Sequence, residues 1–358
     1  MGNITEYKIA DINCKRILGR CGTFTKDGGL PLFWSGSGLE LKVKTREVWA
    51  SFDVDYSSND IWLCVYVNGR KVSRFMAPKG ENKICLVRGF DGQNEKTIEI
   101  FKDTQPMGDD KNQKCIIKSV SISEDGTFCP VTAKKMNLEF VGDSITSGEG
   151  LSGCPEDMDW ISAWITVENN YAMQVKRSLD ADVRILSQCG WGIVHSYDGI
   201  DSHSLPPYYQ QICGFYDAPH QIETGSQNQY DFASWQPHWI IVNLGVNDFS
   251  FYGEKLTSEG EEKVAAGTKA FLETLRRNNP KAKILWVYGM LNIDDKAYVL
   301  KNAIDQYKNK SGDSKVFLLK VPGMEEEVAD EDKGSRGHPG PLTHKKAARL
   351  IAQFIGEN

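Results

Sequence analysis

Four short segments carry side chains that could act together as a nucleophile, a base and a cradle for a carbonyl oxygen. The first is Val141-Gly142-Asp143-Ser144-Ile145-Thr146-Ser147-Gly148. Gly142 permits a sharp turn, and Ser144 lies where an apolar run hands over to a helix. A helix N-terminus has unpaired N–H groups and partial positive charge, which suits a developing oxyanion. A serine there is a nucleophile if a base reaches it. The same octet also fits a plain N-cap serine. The second segment is Ser187-Gln188-Cys189-Gly190-Trp191-Gly192, where Gly190 lets a backbone N–H approach a ligand closely. Taken alone, it reads as a turn. The third is Asn243-Leu244-Gly245-Val246-Asn247-Asp248. Asn247 offers two amide hydrogens to a carbonyl oxygen, though by itself it reads as an Asx turn or helix cap. The fourth is Gly337-His338-Pro339-Gly340, and a histidine held in a loop is suited to general-base work. Of the six histidines, His195, His203, His220 and His238 lie away from the expected strand ends or beside loops. His344 falls in the first turn of the last helix and reads as structural.

These segments need elements to bring them together. The first ~125 residues alternate apolar and polar positions with many β-branched and aromatic residues, the period of half-buried strands. Strands are predicted at 39–43, 48–56, 62–67, 83–87, 97–101 and 116–122. Asn68-Gly69 directly follows one of them and supplies the positive φ angles of a tight hairpin. The pattern is that of a sandwich or jelly roll. It changes after Gly126-Thr127-Phe128-Cys129-Pro130, which places a boundary near Pro130, with domains at 1–130 and 131–358. From there strands at 138–141, 183–189, 239–244, 284–288 and 316–319 alternate with helices at 171–179, 261–277 and 295–307. Ala347, Leu350, Ile351, Phe354 and Ile355 then form one apolar face of a terminal helix. Continuous apolar strands between helices imply a parallel sheet covered on both faces. Ligands of such sheets sit beyond the carboxyl ends of the strands, where Ser144, Gly190 and Asn247 fall. The stretch from Leu205 to Tyr230 is long, polar and aromatic, the kind of loop that often forms a lid or rim.

Composition narrows the choice of partner. Lys and Arg number 42 against 48 Asp and Glu in 358 residues, a net charge of −6. This excludes a broad basic nucleic-acid surface as the main feature. No apolar run approaches the ~18 residues of a membrane span. Nine cysteines are scattered without a C-x-x-C pair, which argues against a structural zinc site. No metal and no organic cofactor is expected, and activity should survive a chelator. The start shows no basic and apolar signal segment, so a cytoplasmic location is expected, or a secreted one if a signal has been removed. Oligomeric state is not legible.

The order of the four segments resembles the SGNH or GDSL hydrolase superfamily over residues 136–358. That resemblance implies a three-layer α/β domain with a parallel, flavodoxin-like sheet. It also implies Ser144 as nucleophile, His338 as base, and an oxyanion hole made by the N–H groups of Ser144 and Gly190 with the Asn247 amide. A closer resemblance, to carbohydrate esterase family 2, rests on the preceding β jelly roll and several further segments. These are Gly142-Asp143-Ser144-Ile145-Thr146, Trp235-Gln236-Pro237 leading into 243–248, Leu285-Trp286-Val287-Tyr288-Gly289-Met290, and His338-Pro339 followed by Thr343-His344. It implies a serine esterase that removes O-acetyl groups from plant xylan or glucomannan through an acyl-enzyme. The implied partner is an acetylated oligosaccharide or polysaccharide, not nucleic acid or membrane.

One departure concerns the aspartate that the superfamily often places two or three residues before the base. Here those places hold Arg336 and Ser335. A serine–histidine dyad is expected, with a backbone carbonyl holding the imidazole. Asp330, Glu331 and Asp332 could fold back instead, but Glu325-Glu326-Glu327 and 330–332 read more simply as a solvated acidic loop. Trp191 and Tyr197 are candidate sugar platforms. Two alternatives keep the fold: an SGNH lipase or thioesterase with another acyl group, or a carbohydrate-binding protein whose esterase half is inactive. The loops after the first strands hold Glu149, Glu156, Asp157, Gln210 and Gln211 rather than an apolar acyl pocket, which favours a polar substrate.

Overall fold

A computed structural model describes residues 3–324 and 332–358. The chain divides into two units. One takes the residues up to 133 with 161–163 and 210–229, and the other takes the remainder.

The first unit is built from strands β1 (Ile4–Lys8), β2 (Arg16–Leu18), β3 (Leu30–Pro31), β4 (Gly38–Lys44), β5 (Glu47–Asp55), β6 (Trp62–Val67), β7 (Arg70–Met76), β8 (Gly80–Arg88), β9 (Lys96–Lys102), β10 (Lys114–Ser123) and β11 (Thr127–Cys129). They form two antiparallel sheets of jelly-roll type, ordered β1-β10-β5-β8 and β11-β4-β9-β6-β7, with β3 paired to β10 and β2 to β4. β5 shows why: Val48, Ala50, Phe52 and Val54 are buried and the residues between them are half-buried, the period of a strand with one face on a core. They share that core with Leu39, Leu41 and Val43 of β4 and with Ile98 and Ile100 of β9. At the hairpin, Asn68 (φ 49) and Gly69 (φ 75) both take positive φ, and β7 returns with Arg70 opposite Val67.

The 205–230 stretch, expected as a lid or rim, divides between the units, with 205–209 and 230 in the second. Residues 210–229 belong to the first unit, because their aromatic and polar groups find buried partners there. Trp34 Nε1 donates to the Ile212 carbonyl at 2.6 Å, and Met107 N donates to the Tyr216 hydroxyl at 2.9 Å.

The second unit holds five strands: β12 (Met136–Gly142), β13 (Ala181–Ser187), β14 (Trp239–Asn243), β15 (Lys283–Tyr288) and β16 (Val316–Lys320). The sheet order is β13-β12-β14-β15-β16 and every pair is parallel. All five residues of β14 are buried, as its unbroken apolar sequence requires. Helices of the chain are α1 (Ser144–Ser147), α2 (Tyr171–Leu179), α3 (Pro219–Glu223, in the first unit), α4 (Val246–Tyr252), α5 (Ser258–Asn278), α6 (Ala297–Ser311) and α7 (Pro341–Glu357). In the second unit α2 packs on α7, and α5 on α6. From β12 the chain goes to one neighbour, β13, and then returns to the other, β14. Right-handed crossovers put those two connections on opposite faces. The gap beyond the carboxyl ends of β12 and β14 is therefore the switch point where such sheets bind ligands. β13 ends at Ser187, short of the expected Cys189, because its last pair is Gly142 with Ser187. Among the described residues no helix is long and apolar enough to cross a membrane.

Candidate active site

Ser144 is the first residue of the single turn α1, set directly after β12. Asp143 is its N-cap, with Oδ1 accepting from Ile145 N at 3.0 Å. The turn is anchored sideways: Asn170 Nδ2 donates to the Thr146 carbonyl at 2.7 Å, and Ser147 Oγ donates to Ser187 Oγ at 2.9 Å. Ser144 thus projects from a fixed corner at the switch point. Burial pushes the Asp143 carboxyl up to about 7. The Ile145 N–H opposes this, and the nearby charges of Asp248 and Glu149 add to it.

His338 meets Ser144 from the other end of the chain. Its Nε2 is 2.9 Å from Ser144 Oγ, and its Nδ1 faces the Arg336 carbonyl at 3.3 Å. A carbonyl only accepts, so Nδ1 carries the proton and Nε2 is left to accept from the hydroxyl. This is the tautomer a general base needs. The loop bearing His338 is tied down on several sides. Gly334 N donates to the His338 carbonyl at 2.8 Å, Ser335 N to the Gly150 carbonyl at 3.0 Å, and Gly340 N to the Asp332 carbonyl at 2.7 Å. Gly150 has φ +76, and a Cβ there would lie 2.4 Å from the Ser335 carbonyl oxygen, so the close approach depends on glycine.

Asp332 departs from the expected solvated loop. It is buried, and its carboxylate accepts from Thr343 N at 2.8 Å and Thr343 Oγ1 at 2.6 Å. The N-cap of α7 is Gly340, which has no side chain to cap the first turn, and Asp332 caps it from a distance. Asp330, Glu331 and Glu325-Glu326-Glu327 lie outside the described residues.

Gly190 follows β13 in a left-handed conformation, φ +78. The next residues are drawn in by Asp248, whose carboxylate accepts from Ile193 N at 2.8 Å and Val194 N at 2.9 Å. Burial pushes the Asp248 carboxyl above the usual range, and these N–H groups pull it back. Asn247, on α4, donates from Nδ2 to the Trp191 carbonyl at 2.8 Å. A carboxamide nitrogen has two hydrogens, so one remains to be offered elsewhere. Asn247 lies inside the first turn of α4, whose N-cap is Gly245, and so is neither the Asx turn nor the helix cap that its local sequence suggests.

The two candidate sugar platforms separate. Trp191 is buried and lies face to face with His203, ring centroids 5.2 Å apart at 8°, so its ring is spent on packing. Tyr197 is 60% exposed, and its ring edge would lie 3.0 Å from a Cβ on Gly190. His344 is buried: Nδ1 accepts from Tyr171 N at 3.0 Å, and burial pushes its imidazole down to about 4. It serves structure, as its place in the first turn suggested. Among the described residues no group of three or more His, Cys, Asp or Glu is placed to hold a metal ion.

Sequence reasoning missed one neighbour. Glu149 is 5% exposed. Its Oε1 accepts from Arg336 Nε at 3.0 Å, and its Oε2 lies 3.5 Å from His338 Nε2. Its position five residues after Ser144 in Gly148-Glu149-Gly150 was the available signal. A glutamate between two glycines does not announce burial, and its partner is 187 residues away.

With serine, histidine, glycine and asparagine gathered at one sheet end, the chain can be set beside known proteins. Residues 140–345 match the model of the GDSL-like Lipase/Acylhydrolase family. Cellulase/esterase CelE of Acetivibrio thermocellus is 26% identical over 344 residues, 92% of this chain but 38% of CelE. An acetylxylan esterase / glucomannan deacetylase of Cellvibrio japonicus is 23% identical over 326 residues, 91% of this chain and 84% of that protein. Among solved structures, the acetyl xylan esterase Est2A of the rumen bacterium Butyrivibrio proteoclasticus superposes with a TM-score of 0.93. It is 34% identical, and the match covers 99% of this chain and 98% of that one.

Proposed function

The chain belongs to the GDSL-like lipase/acylhydrolase family, and on that premise we propose that it is a serine carbohydrate esterase. It removes O-acetyl groups from xylan or (gluco)mannan oligosaccharides. Residues 131–358 form its catalytic domain and 1–130 a carbohydrate-binding-like β domain. The observation that carries this reading is the 2.9 Å contact between Ser144 Oγ and His338 Nε2 at the switch point of the sheet. The relatives' acetyl xylan and glucomannan substrates support the choice of acyl group and sugar.

In this mechanism His338 takes the Ser144 proton as Oγ attacks the acetyl carbonyl. The oxyanion is held by the N–H groups of Ser144 and Gly190 and by the second amide hydrogen of Asn247. The proton then passes from His338 to the departing sugar oxygen, leaving an acetyl ester on Ser144. Water, activated by His338 in the same way, releases acetate. The Arg336 carbonyl holds Nδ1–H throughout. Tyr197, exposed beside Gly190, is the sugar platform this reading retains.

The test is acetate release from acetylated xylo- and manno-oligosaccharides by the native chain and by Ser144→Ala. Loss of at least ~10³-fold in the variant is expected. Full activity in the variant would refute the assignment. A preference for decanoyl over acetyl nitrophenyl esters would point to a lipase instead.

A further inference from the structure

We propose that Glu149, clamped by Arg336, is a positioning residue that steadies His338 and favours its charged form while Ser144 attacks. This rests on the serine–histidine reading above and adds a residue to it.

The geometry is unusual because one residue supports both nitrogens of the imidazole. Arg336 touches Nδ1 directly through its own carbonyl, 3.3 Å away. It reaches the Nε2 side through its guanidinium, which holds Glu149 at 3.0 Å, and Glu149 Oε2 stands 3.5 Å from Nε2. Arg336 does this from φ 58, ψ 29, a left-handed conformation that costs a side-chain-bearing residue energy. It is held there by three contacts besides the carbonyl: its N–H donates to the Asp157 carbonyl at 2.9 Å, its Nη1 to the Met158 carbonyl at 2.9 Å, and its Nε to Glu149. A strained turn secured this thoroughly has a purpose in the fold, and here the strain aims a carbonyl at the base.

In a serine triad the carboxylate stands on the Nδ1 side. Here a neutral carbonyl takes that place, and the carboxylate stands on the side where charge appears. When the Ser144 proton moves to Nε2, His338 becomes an imidazolium, with Nδ1–H still on the Arg336 carbonyl. Glu149 stays paired with the Arg336 guanidinium, Oε1 accepting from Nε at 3.0 Å. Its negative charge lies beside the new positive one in a buried setting, where such attraction is weakly screened. The proton then leaves Nε2 for the sugar oxygen, and Glu149 is unchanged. The titratable groups facing this pair are His344 on α7, which acts on His338 through space, and, against Glu149, the Cys189 thiol and the Asp143 carboxyl.

Two substitutions should move the pH profile in opposite directions, which general structural damage would not do. The measurement is kcat, KM and their pH dependence with 4-nitrophenyl acetate for the native chain, Glu149→Gln, Glu149→Asp and Arg336→Gln, with Ser144→Ala as control. Glu149→Gln should lower kcat ~10- to 100-fold with KM within about twofold. It should also move the acidic midpoint of kcat/KM down by about half to one pH unit, since the charged imidazole loses its neighbour. Glu149→Asp should recover part of the loss. Arg336→Gln should move the midpoint up, because Glu149 then acts unneutralised. Native kcat and midpoint in Glu149→Gln, or shifts of the same sign in both variants, would overturn the proposal. If thermal melting shows Glu149→Gln unfolded, Arg336→Gln decides: an upward shift supports the proposal, and no shift or a downward one ends it. An inactive native chain, or an active Ser144→Ala, removes the esterase reading itself and this proposal with it.

Discussion

Asn247 and Trp191 are joined by a 2.8 Å hydrogen bond from the side-chain amide to the backbone carbonyl. The bond ties the first turn of α4, which follows β14, to the loop after β13. On the proposed oxyanion-hole reading, replacing Asn247 by Ala should lower kcat by about 10²- to 10³-fold with little change in KM, the usual result of losing an oxyanion donor. Asn247→Asp should be no better, because a carboxylate has no hydrogen to give. Steady-state kinetics on an acetyl ester checks both.

Tyr197 and Trp191 should respond differently to truncation. If Tyr197 is the sugar platform, Tyr197→Ala should raise KM for acetylated oligosaccharides severalfold and leave turnover of 4-nitrophenyl acetate near native, since its exposed ring would serve the sugar rather than the acetyl group. Trp191→Ala should instead cost roughly 3–5 kcal/mol of stability, the range for emptying a packed aromatic site. Comparing the two substrates, with a denaturation curve for each variant, tests this.

The Asp332–Thr343 pair predicts a loss of stability linked to a loss of activity. Asp332→Ala removes two hydrogen bonds to the first turn of α7 and should cost about 1–3 kcal/mol. Thr343→Val keeps the backbone bond and should cost less. Because the same loop carries His338, kcat should fall in Asp332→Ala at temperatures where the variant is still folded. Urea unfolding followed alongside activity separates the two effects.

Two buried groups should tilt stability against pH in opposite senses. His344 is pushed down to about 4 from 6.5. Between those values the unfolded chain binds a proton that the folded chain refuses, so stability is lost as pH falls through that window. Asp143 is pushed up to about 7 from 3.8. There the folded chain keeps a proton that the unfolded chain gives up, so stability is lost as pH rises toward 7. At pH 5.5 the two effects oppose each other, each worth up to about 1.4 kcal/mol per pH unit. Asp143→Asn should make the slope of stability against pH more positive than in the native chain, and His344→Gln should make it more negative. Unchanged slopes in urea melts at pH 5, 5.5 and 6 would contradict the assignment.

Much of the fold was legible because burial leaves periodic marks. β14 reads as unbroken apolar residues, and α7 carries its stripe of Ala347, Ile351 and Ile355, all buried. β7 left no such mark, since Arg70, Lys71 and Val72 are exposed and its half-buried Phe75 packs against the core beside polar neighbours. Ser144, Gly190, Asn247 and His338 stood out because each sits at a strand end or in a short loop of distinctive residue types. Glu149, Asp248 and Asp332 did not. A carboxylate looks the same in sequence whether it is solvated or buried against N–H groups, and their partners arrive from 187, 55 and 11 residues away. Trp191 and Tyr197 looked alike for a related reason: only the packing of His203 tells which ring is free.

The contact between Ser144 and His338 spans 194 residues of chain, and it shapes how the protein is made. The serine corner, the glycine loop and Asn247 all precede α5, so they leave the ribosome well before the base does. The bonds from Thr343 to Asp332 join the His338 loop only once the start of α7 has been made. A chain interrupted before Pro341 would keep the bonds of the His338 loop to Gly150, Asp157 and Glu149 but lose the tie from Asp332 to Thr343. On the proposed serine–histidine reading, α7 thus adds the last tie to a base loop already held against the serine corner.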